Sequence, residues 1–197
     1  MLKLFKSDQL AKASKAIETD DLERLQKHLK KISSDQIDQP VAENSPALAE
    51  LCILAQSAKA LKQVLEHGAN PNTQSVSQPQ LSLSQLALTQ ETSLPLLTAL
   101  YNAGCQTDPT SLLKPCFSHC REQELMLHLS LLLQQGAKLD DELTDCALRT
   151  ENRALIHFII NSGASKPEGL ETGDYSDETL SYALKCWDDL RIRQMFL

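Results

Sequence analysis

Aromatic side chains are scarce in this chain of 197 residues, at 4%, with a single tryptophan. So small a share argues against a core built on a few bulky rings and for many small packed units. Glycines number only six and are scattered, so no glycine-rich phosphate cradle is written anywhere. The patterns H-E-x-x-H, G-x-S-x-G and C-x-x-C are missing, and no nucleophile is paired with a base in a recognisable motif. A non-enzymatic protein without cofactor is therefore expected. No apolar run approaches the roughly 18 residues of a membrane-spanning helix. The opening Met1-Leu2-Lys3-Leu4-Phe5-Lys6-Ser7-Asp8 has no apolar core of a secretory signal. A cytoplasmic location and no membrane partner are the expectations.

Positive charge is also in short supply. Lysine and arginine total 19 against 26 acidic residues, for a net charge of −7. The imbalance is uneven: residues 1–31 hold eight basic and five acidic groups, and the remainder is at −10. An acidic body repels phosphate backbones and anionic lipid, whose binding is built from lysine and arginine. Nucleic acid is thus excluded as a partner. The basic N-terminal stretch (Lys12, Lys15, Lys27, Lys30, Lys31) reads as a solvated helix face.

What is present is a repeat. Four dipeptides, Gly68-Ala69, Gly104-Cys105, Gly136-Ala137 and Gly163-Ala164, each follow apolar residues seven, four and three positions earlier. These are Leu61, Val64 and Leu65; Leu97, Leu100 and Tyr101; Leu129, Leu132 and Leu133; and Ile156, Ile159 and Ile160. An i, i+3, i+4 stripe is one face of a helix, and glycine just past its end is a left-handed cap. A second skeleton precedes each stripe: Leu48…Leu51-Cys52, Leu83…Leu86-Ala87, Leu113…Cys116-Phe117 and Leu143…Cys146-Ala147. Each unit is then an inner and an outer helix joined to the next by a polar finger. The predicted pairs lie at about 46–56 and 58–67, 82–90 and 93–103, 110–119 and 122–135, and 141–149 and 152–162. A first pair is expected over 8–32, opened by Asp20 with Glu23, and a last over 177–187 and 189–196. Pro95 suits a first helical turn. Fingers are expected at 33–45, at 70–80, which reads as extended and exposed, and at 166–176.

The stretches Leu65-Glu66-His67-Gly68-Ala69-Asn70-Pro71-Asn72 and Leu133-Gln134-Gln135-Gly136-Ala137-Lys138-Leu139-Asp140 resemble ankyrin repeats. Ser45-Pro46-Ala47-Leu48 is similar to the family's T-P-L-H motif, with the threonine and histidine missing. The resemblance implies an all-α, ankyrin-like solenoid of stacked helix–turn–helix repeats forming a single domain over 1–197. It divides into a capping unit at 1–44, four core repeats at 45–167 and a closing unit at 168–197. It also implies a protein-binding module, a monomeric adaptor or inhibitor with a rigid, acidic concave surface. The partner would be an unidentified protein with a basic patch. The same fold also serves delivered effectors and toxin-immunity partners, which is a second reading.

Candidate residues follow from this register. Gln74, Asp108, Asp140 and Asp141 are expected on the fingers, and Trp187 is a candidate interface anchor, with sealing of the last repeat as the alternative. Asp140, Asp141, Glu142 and Asp145 begin a helix, so capping is favoured over catalysis or calcium binding. A third reading is a thiol or metal sensor built on Cys116, His119 and Cys120. Zinc asks for four ligands, and a fourth would have to come from His128 or Cys105 across a helix turn, so no metal site is assigned. The cysteines are expected to be reduced. Cys52, Cys116 and Cys146 fall on the inner skeleton and Cys105 replaces a finger alanine. Cys120 and Cys186 are left as the accessible ones.

Overall fold

A computed structural model describes residues 2–170 and 173–196, with side chains from residue 8 onward. The side chains of Met1–Ser7, read above for a signal, and Glu171 and Thr172 of the last finger lie outside the described residues. Among the described residues there are eleven α-helices and no strand. No helix among them is long and apolar enough to cross a membrane.

The chain forms two compact units, 1–108 and 109–197. The division falls inside the stretch read from the sequence as four core repeats. The first unit holds α1 (Leu2–Glu18), α2 (Leu22–Leu29), α3 (Leu48–Leu54), α4 (Ala58–Glu66), α5 (Leu83–Leu88) and α6 (Ser93–Asn102). They pair as hairpins α1/α2, α3/α4 and α5/α6. Helices α1, α3 and α5 make one row of neighbours, and α2, α4 and α6 make the other. The second unit holds α7 (Thr110–His119), α8 (Glu122–Gln134), α9 (Asp141–Arg149), α10 (Arg153–Asn161) and α11 (Asp177–Gln194). Here α7 pairs with α8 and α9 with α10, while α9 touches α7 and α11. Neighbouring helices pack in sequence order within each unit.

The glycine turn recurs as expected from the sequence. Gly68, Gly104, Gly136 and Gly163 have φ of 102°, 87°, 94° and 102°. In the third, the Gly136 N–H donates to the Leu133 carbonyl and the Ala137 N–H to the Leu132 carbonyl, both at 3.0 Å. The same two bonds recur at the other three turns. They satisfy the carbonyls that a helix end leaves open. The stripes before the glycines are buried, with Leu133 half-buried. Ala69 and Ala164 are also buried, which explains the small residue after the glycine.

Three inner helices end on a left-handed residue as well, but without glycine: Asp20, Gln56 and Glu151, at φ of 50° to 55°. Each directly precedes the N-cap of an outer helix. The first of these caps is therefore Asp21, one residue after the expected Asp20; its carboxylate accepts from the Arg24 N–H at 3.0 Å. Pro95 sits in the first turn of α6, where its missing N–H costs nothing.

Polar ties join each finger to the next. Asp38 accepts from the Asn70 N–H at 2.9 Å. Asn72 accepts from the Gln106 N–H at 2.6 Å and donates to the Gly104 carbonyl at 3.3 Å. In the second unit, Thr110 accepts from the Lys138 N–H at 3.1 Å and Ser165 donates to Asp141 at 2.7 Å. The opposite ends of the hairpins are tied too. Ser57 donates to Asp20 at 2.9 Å, Thr92 to the Gln56 carbonyl at 3.2 Å, and Asn152 to Glu122 at 3.1 Å.

Two expectations are corrected. The finger at 70–80 is not simply extended and exposed. It folds back through a single antiparallel bridge between Gln74 and Ser82, and Ser75 is buried. Its anchor is Glu50 of α3, itself only 2% exposed. The carboxylate accepts from the Ser75 and Ser77 hydroxyls at 2.6 and 2.5 Å, and from the Val76 and Ser77 N–H groups at 2.8 and 2.9 Å. The last unit is not a pair of helices. No glycine or proline interrupts Asp177–Gln194, and one helix of 18 residues runs through. It leaves Met195 and Phe196 exposed rather than sealing a repeat.

Two tests follow. Any side chain at Gly136 has open space around its Cβ, so Gly136→Val is penalised through φ alone. It should lower stability by about 1–2 kcal/mol in thermal unfolding; an unchanged melt would mean the turn does not hold its left-handed form. Burial pushes the Glu50 pKa up, but the bonds from Ser75, Ser77 and Val76 outweigh it and hold the carboxyl below its ordinary 4.5. A depressed pKa stabilises fully above the unfolded value and is lost as pH falls through the folded one. Glu50→Ala should therefore cost about 1–3 kcal/mol near neutrality, from N–H groups left unpaired. The gap to wild type should shrink as pH drops below 4.5; a gap independent of pH would remove the carboxylate from the account.

Candidate functional site

The finger residues singled out in the sequence are surface residues with structural duties. Gln74 and Asp108 lie exposed in the first unit. In the second unit, Asp140 is the N-cap of α9 and accepts from the Leu143 N–H at 2.8 Å. Asp141 takes the Ser165 hydroxyl, and Glu142 pairs with Lys114. Asp145 accepts from Arg149 at 2.7 Å and from the Tyr175 hydroxyl. The Arg149 and Tyr175 bonds hold its carboxyl below the usual range. These carboxylates cap and tie the start of α9. Trp187 is half-buried; its indole N–H donates to the Ala164 carbonyl at 2.9 Å. Its ring packs on the cluster of Leu148, Ile156, Ile160, Leu170, Ala183 and Cys186.

The chemistry-bearing cluster lies where α7 gives way to α8. Cys116, on the buried face of α7, is fully enclosed. Cys120 is the residue that ends α7; its N–H still donates to the Cys116 carbonyl at 2.9 Å, but its ψ of 147° turns the chain away into extended backbone. That combination brings the two side chains one helical turn apart and leaves Cys120 half-exposed. The Cys116 thiol neighbours the Cys120 sulfur closely enough to shift it. Two turns into the following segment, His128 of α8 is fully buried beside Cys120. Its Nδ1 lies 2.9 Å from the Glu124 carbonyl. A carbonyl only accepts, so Nδ1 carries a proton and Nε2 is left to face the thiol.

Cys120 and His128 shift each other in the direction of a thiolate–imidazolium pair. The bond from Cys116 is the main force pulling the Cys120 thiol below its ordinary range. Burial opposes it, and the His128 bond and charge add to it. Burial pulls His128 down, but the Cys120 sulfur and the Glu124 carbonyl outweigh it and raise its pKa. Cys116 moves the other way, because it gives its proton to the bond with Cys120 and is itself buried. Beside Cys120 a cleft of about 320 Å3 opens, with Phe117, Leu125, Met126 and Leu155 as its apolar wall and Glu122, Thr150 and Asn152 as polar lining.

The sequence pointed to Cys116, His119 and Cys120 as a trio. The structure keeps the two cysteines together and replaces the histidine. His119 is exposed, one residue before the turn, while His128 faces the sulfur. The signal for His128 was available: it stands one residue before Leu129 of the buried stripe, on the apolar side of α8. Among the described residues, no group of three or more His, Cys, Asp and Glu side chains is placed to hold a metal ion. Two cysteines are also reassigned. Cys186 is buried in the last core because α11 runs unbroken past it, and Cys146 is only half-buried on α9.

No protein-family model matches the chain, and no curated protein or solved structure does either.

Native alkylation checks the cluster directly. Iodoacetamide should modify Cys120 first, because it is both accessible and held as thiolate. Cys105 and Cys146 should follow, and Cys52, Cys116 and Cys186 should react only on unfolding. Peptide mapping of labelled sites with time gives the order; Cys52 or Cys186 labelling as fast as Cys120 would contradict it.

Proposed function

We propose that the chain is a helical-repeat protein of the ankyrin type that holds a protein partner on a preformed surface. The observation that supports this reading is the set of polar ties between successive fingers and hairpin ends. A surface whose loops are already fixed loses little conformational entropy on binding, so modest contacts suffice. In this reading the protein is a cytoplasmic adaptor or inhibitor, acting as a monomer.

The acidic finger side of the second unit is the surface we assign to the partner. A hollow of about 350 Å3 there is lined by Asp141, Glu142, Asp145, Glu168 and Tyr175. Asp140, Asp141 and Asp145 also hold the fold together, so reversing them tests stability and binding at once. Glu168 and Asp174 are exposed and better probes. A partner with a basic patch suits this field, and its association should weaken as salt rises.

The double variant Glu168→Lys, Asp174→Lys should slow association with proteins retained by the wild-type chain by about tenfold at low salt. Its unfolding free energy should stay within about 0.5 kcal/mol of wild type, as for surface substitutions generally. Binding kinetics on immobilised wild type and variant measure both. Equal association, with loss only when Lys27, Lys30 and Lys31 are changed, would move the binding surface to α2 and the turn after it.

A further inference from the structure

The Cys116–Cys120–His128 cluster is not needed to build the stack. His128 takes the buried place that Ala60, Leu96 and Leu155 hold on the other outer helices, so an apolar residue suffices there. Two features set the cluster apart from a core cysteine. Cys120 lines a cleft, and the buried His128 imidazole, its Nδ1 tied to the Glu124 carbonyl, adjoins it. Nucleophile, base and a group orienting the base are the parts of an activated thiol. A second thiol one helical turn away, on Cys116, adds a resolving partner.

We propose that this cleft is a site of thiol oxidation by hydroperoxides, in which Cys120 reacts first, His128 supplies the proton and Cys116 closes a disulfide. In the first step the Cys120 thiolate attacks one peroxide oxygen. The S–O bond forms with the sulfur's electron pair and the O–O bond breaks. The departing alkoxide or hydroxide takes the proton of the His128 imidazolium and leaves as alcohol or water. Sulfur is oxidised to sulfenic acid and the peroxide is reduced. In the second step the Cys116 sulfur attacks the sulfenic sulfur. The S–S bond forms, the S–O bond breaks, and the hydroxide leaves with the Cys116 proton as water. Two thiols and one hydroperoxide give a disulfide, an alcohol or water, and a further water.

The apolar wall of Phe117, Met126 and Leu155 favours a small organic hydroperoxide over a charged oxidant, with Asn152 and Thr150 lining the same cleft as polar groups. The disulfide carries a structural consequence. Residues one helical turn apart keep their Cβ atoms at about 5–6 Å, whereas a disulfide wants about 3.5–4.5 Å. The last turn of α7 must loosen for the bond to close. That turn is the helix end, where Cys120 already has extended ψ and its N–H bond to the Cys116 carbonyl is the last of the ladder. Oxidation therefore unwinds the junction between α7 and α8.

The experiment uses the full chain, reduced and then treated with one equivalent of cumene hydroperoxide, with hydrogen peroxide alongside. Intact mass should show loss of two hydrogens, and peptide mapping should place the disulfide between Cys116 and Cys120. Cys116→Ser should stop at sulfenic acid, trapped by dimedone on Cys120. His128→Gln should slow the reaction by about a hundredfold, the low end of what a positioned proton donor contributes. Should that variant not melt cooperatively, the dimedone adduct in Cys116→Ser decides alone. Oxidation of Cys105 or Cys146 ahead of Cys120 would overturn the proposal. So would a Cys120 rate no faster than that of free cysteine, or alkylation by iodoacetamide without any disulfide from peroxide.

Discussion

Four of the five hairpins described here depend on one backbone event, the left-handed glycine turn that ends the outer helix; α2 ends at Lys30 without one. A helix cannot simply stop in a packed interior, because its last carbonyls need partners. The glycine turn gives those carbonyls two N–H groups and sends the chain back across the stack in the same stroke. Gly136, with φ of 94° and nothing crowding its Cβ, shows that the requirement is conformational and not a matter of space. Once the outer helix is ended this way, its apolar stripe can bury only against adjacent helices. Packing in sequence order follows from that.

The polar ties are the second layer. Asp38, Asn72, Thr110 and Asp141 each accept across a connection. Glu50 is the extreme case. It is a charged side chain taken into the interior, which is costly unless several donors surround it; four donors from one finger do so. The connection between α4 and α5 thereby becomes a fixed segment of the first unit.

The sequence made the repeating parts legible and the local exceptions illegible. The stripe-and-glycine pattern placed α4, α6, α8 and α10 to within a residue or two, because burial and the left-handed cap both leave marks in residue type. The ends of α7 and α9 also fell where expected, at His119 and Arg149, but the left-handed backbone at Asp20, Gln56 and Glu151 did not show, with no glycine to announce it. The grip of Glu50 on Ser75, Val76 and Ser77 spans 25 to 27 residues and has no periodicity to reveal it. The thiol cluster was half visible. Cys116 and Cys120 share a helix face by spacing alone, but the choice of His128 over His119 rests on how the chain leaves α7. The unbroken α11 is a different kind of miss: a repeat pattern was extended to a segment that has no turn residue to enforce it.

Packing in sequence order also bears on how the protein is made. The longest side-chain tie described above, from Asp20 to Ser57, spans only 37 residues. A chain emerging from a ribosome can thus close each hairpin on its predecessor once the next few dozen residues have cleared the tunnel, with no exposed stripe waiting on a distant partner. Folding can keep pace with translation, hairpin by hairpin, through the first unit and again through the second.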